Sequence, residues 1–447
     1  MGRARAVIIF NMKRLGFLLI ASLIFILTVE AAFAQGDTTS ALVLNADGPI
    51  TPPMLEYLER GVEAAERAQV EVLIIELNTP GGDLGSATNI IQLFRSSHVP
   101  IVVFITPNGA MAGSAGAIIS MAAHAVAMAP ETAIGAASPI SGSGEDLTQT
   151  LETKTKEIMR AQIRPLVSRR GQEATDLAEA MIEDAKAVSA QEALDAGLID
   201  FIAADTSDLL DQLDGFTVNL ADGPRKLSTA NAQAEPFDMS FIERFLLLLT
   251  DPNITFLLIA IGIQAVLIEI ASPGGWVAGF IGVVCISLAV YGMGILPVNW
   301  FGIIFIVTAF VLFILDIKAP THGALTAAGV GSFIVGALVL FNSPGTPQFQ
   351  RVSVPLVIGV GAFLGLIFFV ILGFALRAQR TPLRMGMESL VNRSGVARTD
   401  LITTGQVQLG SELWTAESVE GGEAISRGDR VEVVEVKGLR LIVRKKK

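Results

Sequence analysis

Three short segments of this 447-residue chain carry residue types that can do chemistry together. They are Asn78-Thr79-Pro80-Gly81-Gly82-Asp83, Met111-Ala112-Gly113-Ser114-Ala115-Gly116, and Lys154 at the start of a helical stretch. A Gly-Gly turn at the C-terminal end of a strand lets backbone N–H groups point into a cleft with no Cβ in the way, as a developing oxyanion requires. Small residues around Ser114 let a substrate backbone approach, and a serine that opens a helix sits at the positive end of the dipole. A serine hydroxyl is a poor nucleophile until a base takes its proton. A lysine can be that base when burial lowers its pKa enough to leave the amine neutral near pH 7. Taken singly, each glycine-rich segment also fits a tight turn or close packing of a helix on a sheet.

Composition removes other chemistries. Cys285 is the single cysteine and lies inside an apolar run, which leaves no intramolecular disulfide, no cysteine-rich zinc site and no thiol nucleophile for a soluble domain. His98, His124 and His322 stand far apart, so neither a histidine metal cluster nor any other cofactor is expected. His124 invites a triad with Ser114, but it falls at the far end of the serine's own helix, about 15 Å away by helical rise, and reads as structural. Asp83 and Glu76 flank the glycine loop and read as solvated or capping groups.

The elements that must position these residues follow from the text of residues 35–204. β-Branched runs at 41–44, 70–77, 101–105, 124–129 and 198–202 alternate with helical stretches, the pattern of crossover units on a largely parallel sheet. Residues 52–69 are apolar at helical intervals, with Glu56, Glu59, Glu63 and Glu66 on the wet side. Residues 205–240 turn polar and irregular and read as a linker.

The chain is 51% hydrophobic and 17% charged, the balance of a membrane protein with soluble parts attached. Residues 1–34 read as a secretory signal: Arg3, Arg5, Lys13 and Arg14, an apolar run, then Ala32-Phe33-Ala34. An uncleaved anchor is the other reading, and both carry the next domain across the membrane. Within 241–376, apolar segments at about 254–271, 275–296, 300–318, 324–341 and 354–376 each approach the ~20 residues needed to cross hydrocarbon, interrupted by Pro273, Pro297, Pro320 and Pro344. An odd number of crossings puts the tail in the cytoplasm if the α/β domain is exported, and Arg377, Arg380 and Arg384 agree with the positive-inside bias. Gly329, Gly331, Gly336, Gly359, Gly361 and Gly365 permit close helix contacts. Residues 239–249, with Phe241, Ile242 and Phe245, fit a helix lying along the membrane surface or a plain start to the first crossing.

The last domain, 385–447, shows five short alternating runs with corners at Gly395, Gly405, Gly410, Gly428 and Gly438, which suggests a small OB-like barrel. Lys445-Lys446-Lys447 reads as a solvated end, with attraction to an anionic leaflet as the livelier option. Charge divides unevenly: 35–237 holds 12 basic and 28 acidic residues, and 377–447 holds 13 and 9. Nucleic acid is therefore not expected on the acidic domain, because phosphate contacts need clustered Lys and Arg.

The whole arrangement resembles the membrane-bound serine proteases of the NfeD family, whose exported domain belongs to the ClpP/crotonase superfamily. The resemblance covers nearly the whole chain. It implies a multidomain membrane protein: an α/β ClpP/crotonase-like domain, an all-α block of about five transmembrane helices and an all-β OB-like barrel. On that resemblance Asn78-Thr79-Pro80-Gly81-Gly82 is the oxyanion loop, Ser114 the nucleophile, and the N–H groups of Gly82 and Ala115 the oxyanion donors, with Gly81 shaping the turn. The family's base is a lysine on a helix after a variable loop. Lys154 precedes Gly171 with the family's spacing and takes that place; Lys156 would face another way on a helix, and Lys186 is more distant. No histidine stands in Ile134-Gly135-Ala136-Ala137-Ser138-Pro139, where a ClpP-type histidine is expected, which favours a Ser-Lys dyad.

The implied activity is endopeptidase cleavage of an apolar segment of a stomatin-like membrane protein outside the cytoplasm, at a bacterial inner membrane. Lipid is a further expected contact, and a homodimer or higher homo-oligomer is the expected assembly. Two other readings remain: a crotonase-like acyl-transfer enzyme, against which export argues, and a non-enzymatic scaffold for a stomatin- or flotillin-like partner.

Overall fold

The computed structural model describes residues 40–139, 148–271, 275–319, 321, 323–343, 346–379 and 390–446. The signal segment 1–34, the loop at 141–146, His322, Arg380 and Arg384 lie outside these residues.

The α/β domain runs β1 (Ser40–Asp47), α1 (Pro52–Ala68), β2 (Val72–Asn78), α2 (Leu84–Ser96), β3 (Ile101–Ile105), β4 (Met111–Gly113), α3 (Ala115–Ala122), β5 (Ala125–Met128), β6 (Ala133–Gly135), α4 (Gln149–Val167), α5 (Gln172–Glu183), β7 (Ala187–Ser189), α6 (Ala190–Asp195) and β8 (Phe201–Ile202). It continues through α7 (Thr206–Leu213), β9 (Thr217–Leu220), β10 (Gly223–Lys226) and β11 (Gln233–Phe237). The main sheet has six strands in the order β11-β1-β2-β3-β5-β8, every pair parallel. β2 shows why its text is continuously apolar: Leu73, Ile75 and Leu77 enter one core, while Val72 and Ile74 enter another on the opposite face. A sheet covered on both sides has no wet face to alternate with.

The expected linker at 205–240 is instead part of this domain. Its last strand, β11, pairs with β1 from Ser40↔Gln233 to Leu44↔Phe237 and forms the sheet edge. Gln233, Ala234, Glu235 and Pro236 are exposed, so the strand is held by backbone hydrogen bonds and carries no apolar alternation to reveal it. Leu209, Leu210 and Leu213 of α7 are buried in the core that also takes Val72 and Ile74.

A short helix, α8 (Phe241–Leu248), follows. It opens with a capping box between Ser240 and Glu243. Glu243 also takes two hydrogen bonds from Arg60 of α1, at 2.8 and 2.7 Å, and the Arg60 guanidinium lies 4.3 Å from the Phe237 ring centroid. The Tyr57 hydroxyl donates to the Phe237 carbonyl at 2.5 Å. These contacts fix α8 to the α/β domain.

The apolar block holds α9 (Pro252–Ala271), α10 (Val277–Ile295), α11 (Phe301–Lys318), α12 (Ala324–Phe341) and α13 (Val354–Gln379). Among the described residues, four spans are long and apolar enough to cross a membrane; in α11 the apolar stretch is the shorter Phe301–Asp316. A Cβ on Gly336 would lie 2.9 Å from the Gly302 carbonyl oxygen, so α11 and α12 approach through glycine. Gly331 and Gly359, by contrast, face open space. Carboxylates in this block are bound locally: Asp316 accepts from Thr321 and from the Thr326 N–H and hydroxyl, and Glu269 accepts from the N–H groups of Trp276 and Gly279.

The C-terminal strands β12 (Ser394–Ala397), β13 (Thr404–Leu409), β14 (Glu412–Ser418), β15 (Arg430–Lys437) and β16 (Arg440–Lys445) close a barrel in the order β12-β13-β14-β16-β15. Val407, Ala416, Val431, Val433, Leu441 and Val443 fill it. Lys445 pairs with Asp429 at 2.6 Å and Lys446 donates to Ser394 Oγ at 2.6 Å; both lysines are exposed.

Candidate active site

The glycine loop is stitched on both sides. The Ile50 N–H donates to the Gly81 carbonyl at 2.8 Å and the Asp83 N–H donates to the Ile50 carbonyl at 2.8 Å. On the other side Thr79 N–H donates to Met111 O at 2.7 Å, and Gly113 N–H donates to Thr79 O at 2.9 Å. In the bridge between Ile50 and Gly82 the flanking groups are used, so the Gly82 N–H points away from Ile50. The loop is thereby tied to β4, the strand that delivers Ser114.

Ser114 sits between β4 and α3 with φ 51 and ψ −118, a conformation costly for any residue with a Cβ. The surroundings hold it there: its N–H donates to Gly135 O at 2.8 Å, and its carbonyl accepts from Ala117 at 3.1 Å. The Ala115 N–H opens the helix and has no carbonyl a turn earlier to bond. The result is a sharp strand-to-helix turn that presents a hydroxyl and a helix N-terminus in one place. Among the described residues nothing hydrogen-bonds Ser114 Oγ.

Ser114 and Ala115 line a cleft of about 450 Å³ together with Gly82, Ile118, Thr155 and Met159. The opposite wall comes from Ile295, Pro297, Pro347 and Phe349, at the ends of membrane helices. The structure thus brings Gly82, Ser114 and Ala115 to one cleft and sets Gly81 directly against Ser114.

The lysines are placed differently. From α4 it is Thr155 and Met159 that line the cleft, while Lys154 is exposed and does not. Successive helix positions point about 100° apart, so Lys154 lies around the barrel of α4 from the cleft stripe. Lys156 pairs with Glu152 at 2.8 Å and donates to the Glu183 carbonyl at 3.0 Å; the hydrogen bond to Glu152 pushes its pKa up and keeps it an ammonium. Lys186 contributes its carbonyl, which accepts from Ala136 at 2.8 Å, and its side chain is exposed. Thr155, Met159 and the loop residues around Phe349 were not singled out by sequence reasoning. The i, i+4 stripe Leu151, Thr155, Met159 is the signal that points to the first two.

His124 is structural. It is buried at 3% exposure, its Nδ1 accepts the Ile101 N–H at 3.0 Å, and burial, with Arg95 and Arg169 nearby, lowers its pKa to about 4. Asp83 caps α2, accepting from Ser86 N–H at 2.6 Å, and Glu76 accepts from Thr206 Oγ1 at 2.5 Å. Both carboxylates flanking the loop are therefore occupied as local anchors. No group of three or more His, Cys, Asp or Glu side chains suited to a metal occurs among the described residues.

Comparison with known proteins follows the same three-part division. Residues 43–233 match the family described as "NfeD1b, N-terminal domain", residues 253–374 the "NfeD integral membrane domain", and residues 387–445 the "NfeD-like C-terminal, partner-binding domain". The membrane-bound protease PH1510 of Pyrococcus horikoshii is 34% identical over 410 residues, covering 90% of this chain and 92% of its own. Membrane protein NfeD1b of Bacillus subtilis is 25% identical over 428 residues, covering 92% and 94%. Among solved structures, a lysine-to-alanine mutant of the 1510-N membrane-bound stomatin-specific protease in complex with a substrate peptide is 29% identical, covers 48% of this chain and all of its own, and has a TM-score of 0.45.

Proposed function

The chain belongs to the NfeD family, and on that premise we propose that it is a membrane-anchored serine endopeptidase with Ser114 as nucleophile and Lys154 as general base. The observation that carries this reading is the strained Ser114 turn lying against the Gly81-Gly82 loop. Ser114 Oγ attacks the scissile carbonyl and passes its proton to the amine of Lys154. The Gly82 and Ala115 N–H groups stabilise the oxyanion, with Gly81 keeping the approach clear. Collapse expels the amine, which takes the proton from Lys154, and water then hydrolyses the acyl-enzyme by the same route in reverse. That role requires the Lys154 side chain to turn in toward the cleft from its exposed position beside Thr155.

The substrate we infer is an apolar segment of a stomatin-like membrane protein. The α/β domain lies outside the cytoplasm and the barrel within it, at a bacterial plasma membrane, and the assembly is a homodimer or larger. Exposure of Lys154 is the observation that favours the scaffold reading instead. Hydrolysis of an apolar peptide by the full chain, compared with Ser114→Ala, separates the two: loss of turnover supports the protease, and unchanged turnover removes it.

A further inference from the structure

The active-site cleft continues past its membrane-side wall. Thr51, Pro80, Ile295, Phe349 and Gln350 line the cleft and also line a second cavity of about 670 Å³. Its remaining walls include Phe241, Phe245 and Leu248 of α8, together with Leu296 and Pro252. The two cavities differ in chemistry. Around Ser114 the lining mixes Gly82, Asp83 and Thr155 with Ile118 and Met159, whereas the second is the more apolar, mostly aromatic and aliphatic apart from Asp47, Arg244 and Asp251.

Three of these groups are costly to leave wet: Phe241 is 83% exposed, Leu248 51% and Phe245 38%. They do not sit on a mobile strap, because Arg60 grips Glu243 with two hydrogen bonds from α1. The cavity therefore has a fixed wall and a place beside Pro252, where the first apolar helix begins. Two cavities joined end to end over one shared wall suit an extended chain better than a compact ligand.

We propose that the second cavity is a subsite for an apolar stretch of the same polypeptide whose scissile bond lies at Ser114, and that the Ile295–Pro297 and Pro347–Gln350 loops of the membrane block are specificity elements. This rests on the reading of Ser114 as nucleophile. A segment leaving the bilayer beside α9 meets Phe241 and Phe245 first, then passes Phe349 to the cleft. Selection for a membrane-emergent apolar run thus comes from the full chain and not from the α/β domain alone.

The test uses the full chain in lipid nanodiscs with a short fluorogenic peptide of Ala, Val and Leu, and with the same peptide lengthened at one end or the other by a run of Leu and Val. Wild type is expected to prefer one lengthened peptide through a lower KM. Phe245→Ala and Phe349→Ala are each expected to cut that preference about tenfold, with Phe349→Leu restoring most of it. Thermal unfolding checks that each variant is folded. Equal preference in wild type and both alanine variants overturns the proposal, as does a photo-crosslinker at position 245 that captures nanodisc lipid and no lengthened peptide. Hydrolysis of both peptides by Ser114→Ala is a different result, and it defeats the nucleophile assignment itself.

Discussion

A Cβ placed on Gly81 would lie 2.5 Å from the Cβ of Ser114 and 3.1 Å from its Oγ. The glycine also has φ +115, a conformation that side chains resist. Loop and nucleophile therefore fit only while position 81 is bare. Gly81→Ala should lower kcat for peptide hydrolysis by about a hundredfold or more, the scale of a damaged oxyanion site, while the chain stays folded. Near-normal turnover by a folded Gly81→Ala protein would show that the closeness has no bearing on catalysis.

The two lysines of α4 should separate cleanly. Lys156 is engaged by Glu152 and by the Glu183 carbonyl, so Lys156→Ala should keep most of the peptidase activity. Lys154→Ala should lose about a hundredfold or more in kcat, as expected for a missing general base. The reverse order, measured on one peptide at one pH, would move the base to Lys156.

His124 links stability to pH. Its folded pKa of about 4 lies below the ordinary 6.5, so between these values the unfolded chain binds the proton and the folded chain does not. Stability is then complete above about pH 6.5 and is lost as pH falls toward 4, with a limit of about 3 kcal/mol from this group. His124→Asn, which keeps an acceptor for the Ile101 N–H, should flatten the pH dependence of thermal unfolding across that window. An unaltered slope would assign the acid sensitivity elsewhere.

The Arg60–Glu243 pair should matter more than a surface ion pair, because the Glu243 side chain is 9% exposed. Arg60→Ala leaves that carboxylate nearly buried and without its guanidinium, at a cost of about 2–3 kcal/mol. Arg60→Lys should recover only part, since an ammonium cannot reproduce the two-pronged geometry. Faster limited proteolysis between β11 and α9 is the accompanying sign, and equal protease resistance would contradict the clamp.

Much of this was legible in the chain itself. The inner strands β1, β2, β3 and β5 announce themselves as apolar runs because the sheet is covered on both faces there, and the barrel does so through glycine corners. Chemistry and spacing mark Ser114 and the glycine loop as candidates, and their roles come from the family resemblance. β11 was missed because an exposed edge strand with Gln233, Glu235 and Pro236 is specified by backbone pairing. The Phe349 wall has no local mark, because the residues with which it lines the cleft, Pro80 and Ser114, are remote in sequence. The facing of Lys154 was beyond spacing, since one step along a helix is enough to turn a side chain out of a cleft.

Whether Ser114 is an activated nucleophile is measured directly by labelling with a fluorophosphonate probe. The full-length wild type is expected to take one covalent label on Ser114, Ser114→Ala none, and Lys154→Ala to react far more slowly. Labelling of Ser114→Ala at the wild-type rate, or a folded wild type that takes no label at Ser114, would contradict the nucleophile assignment.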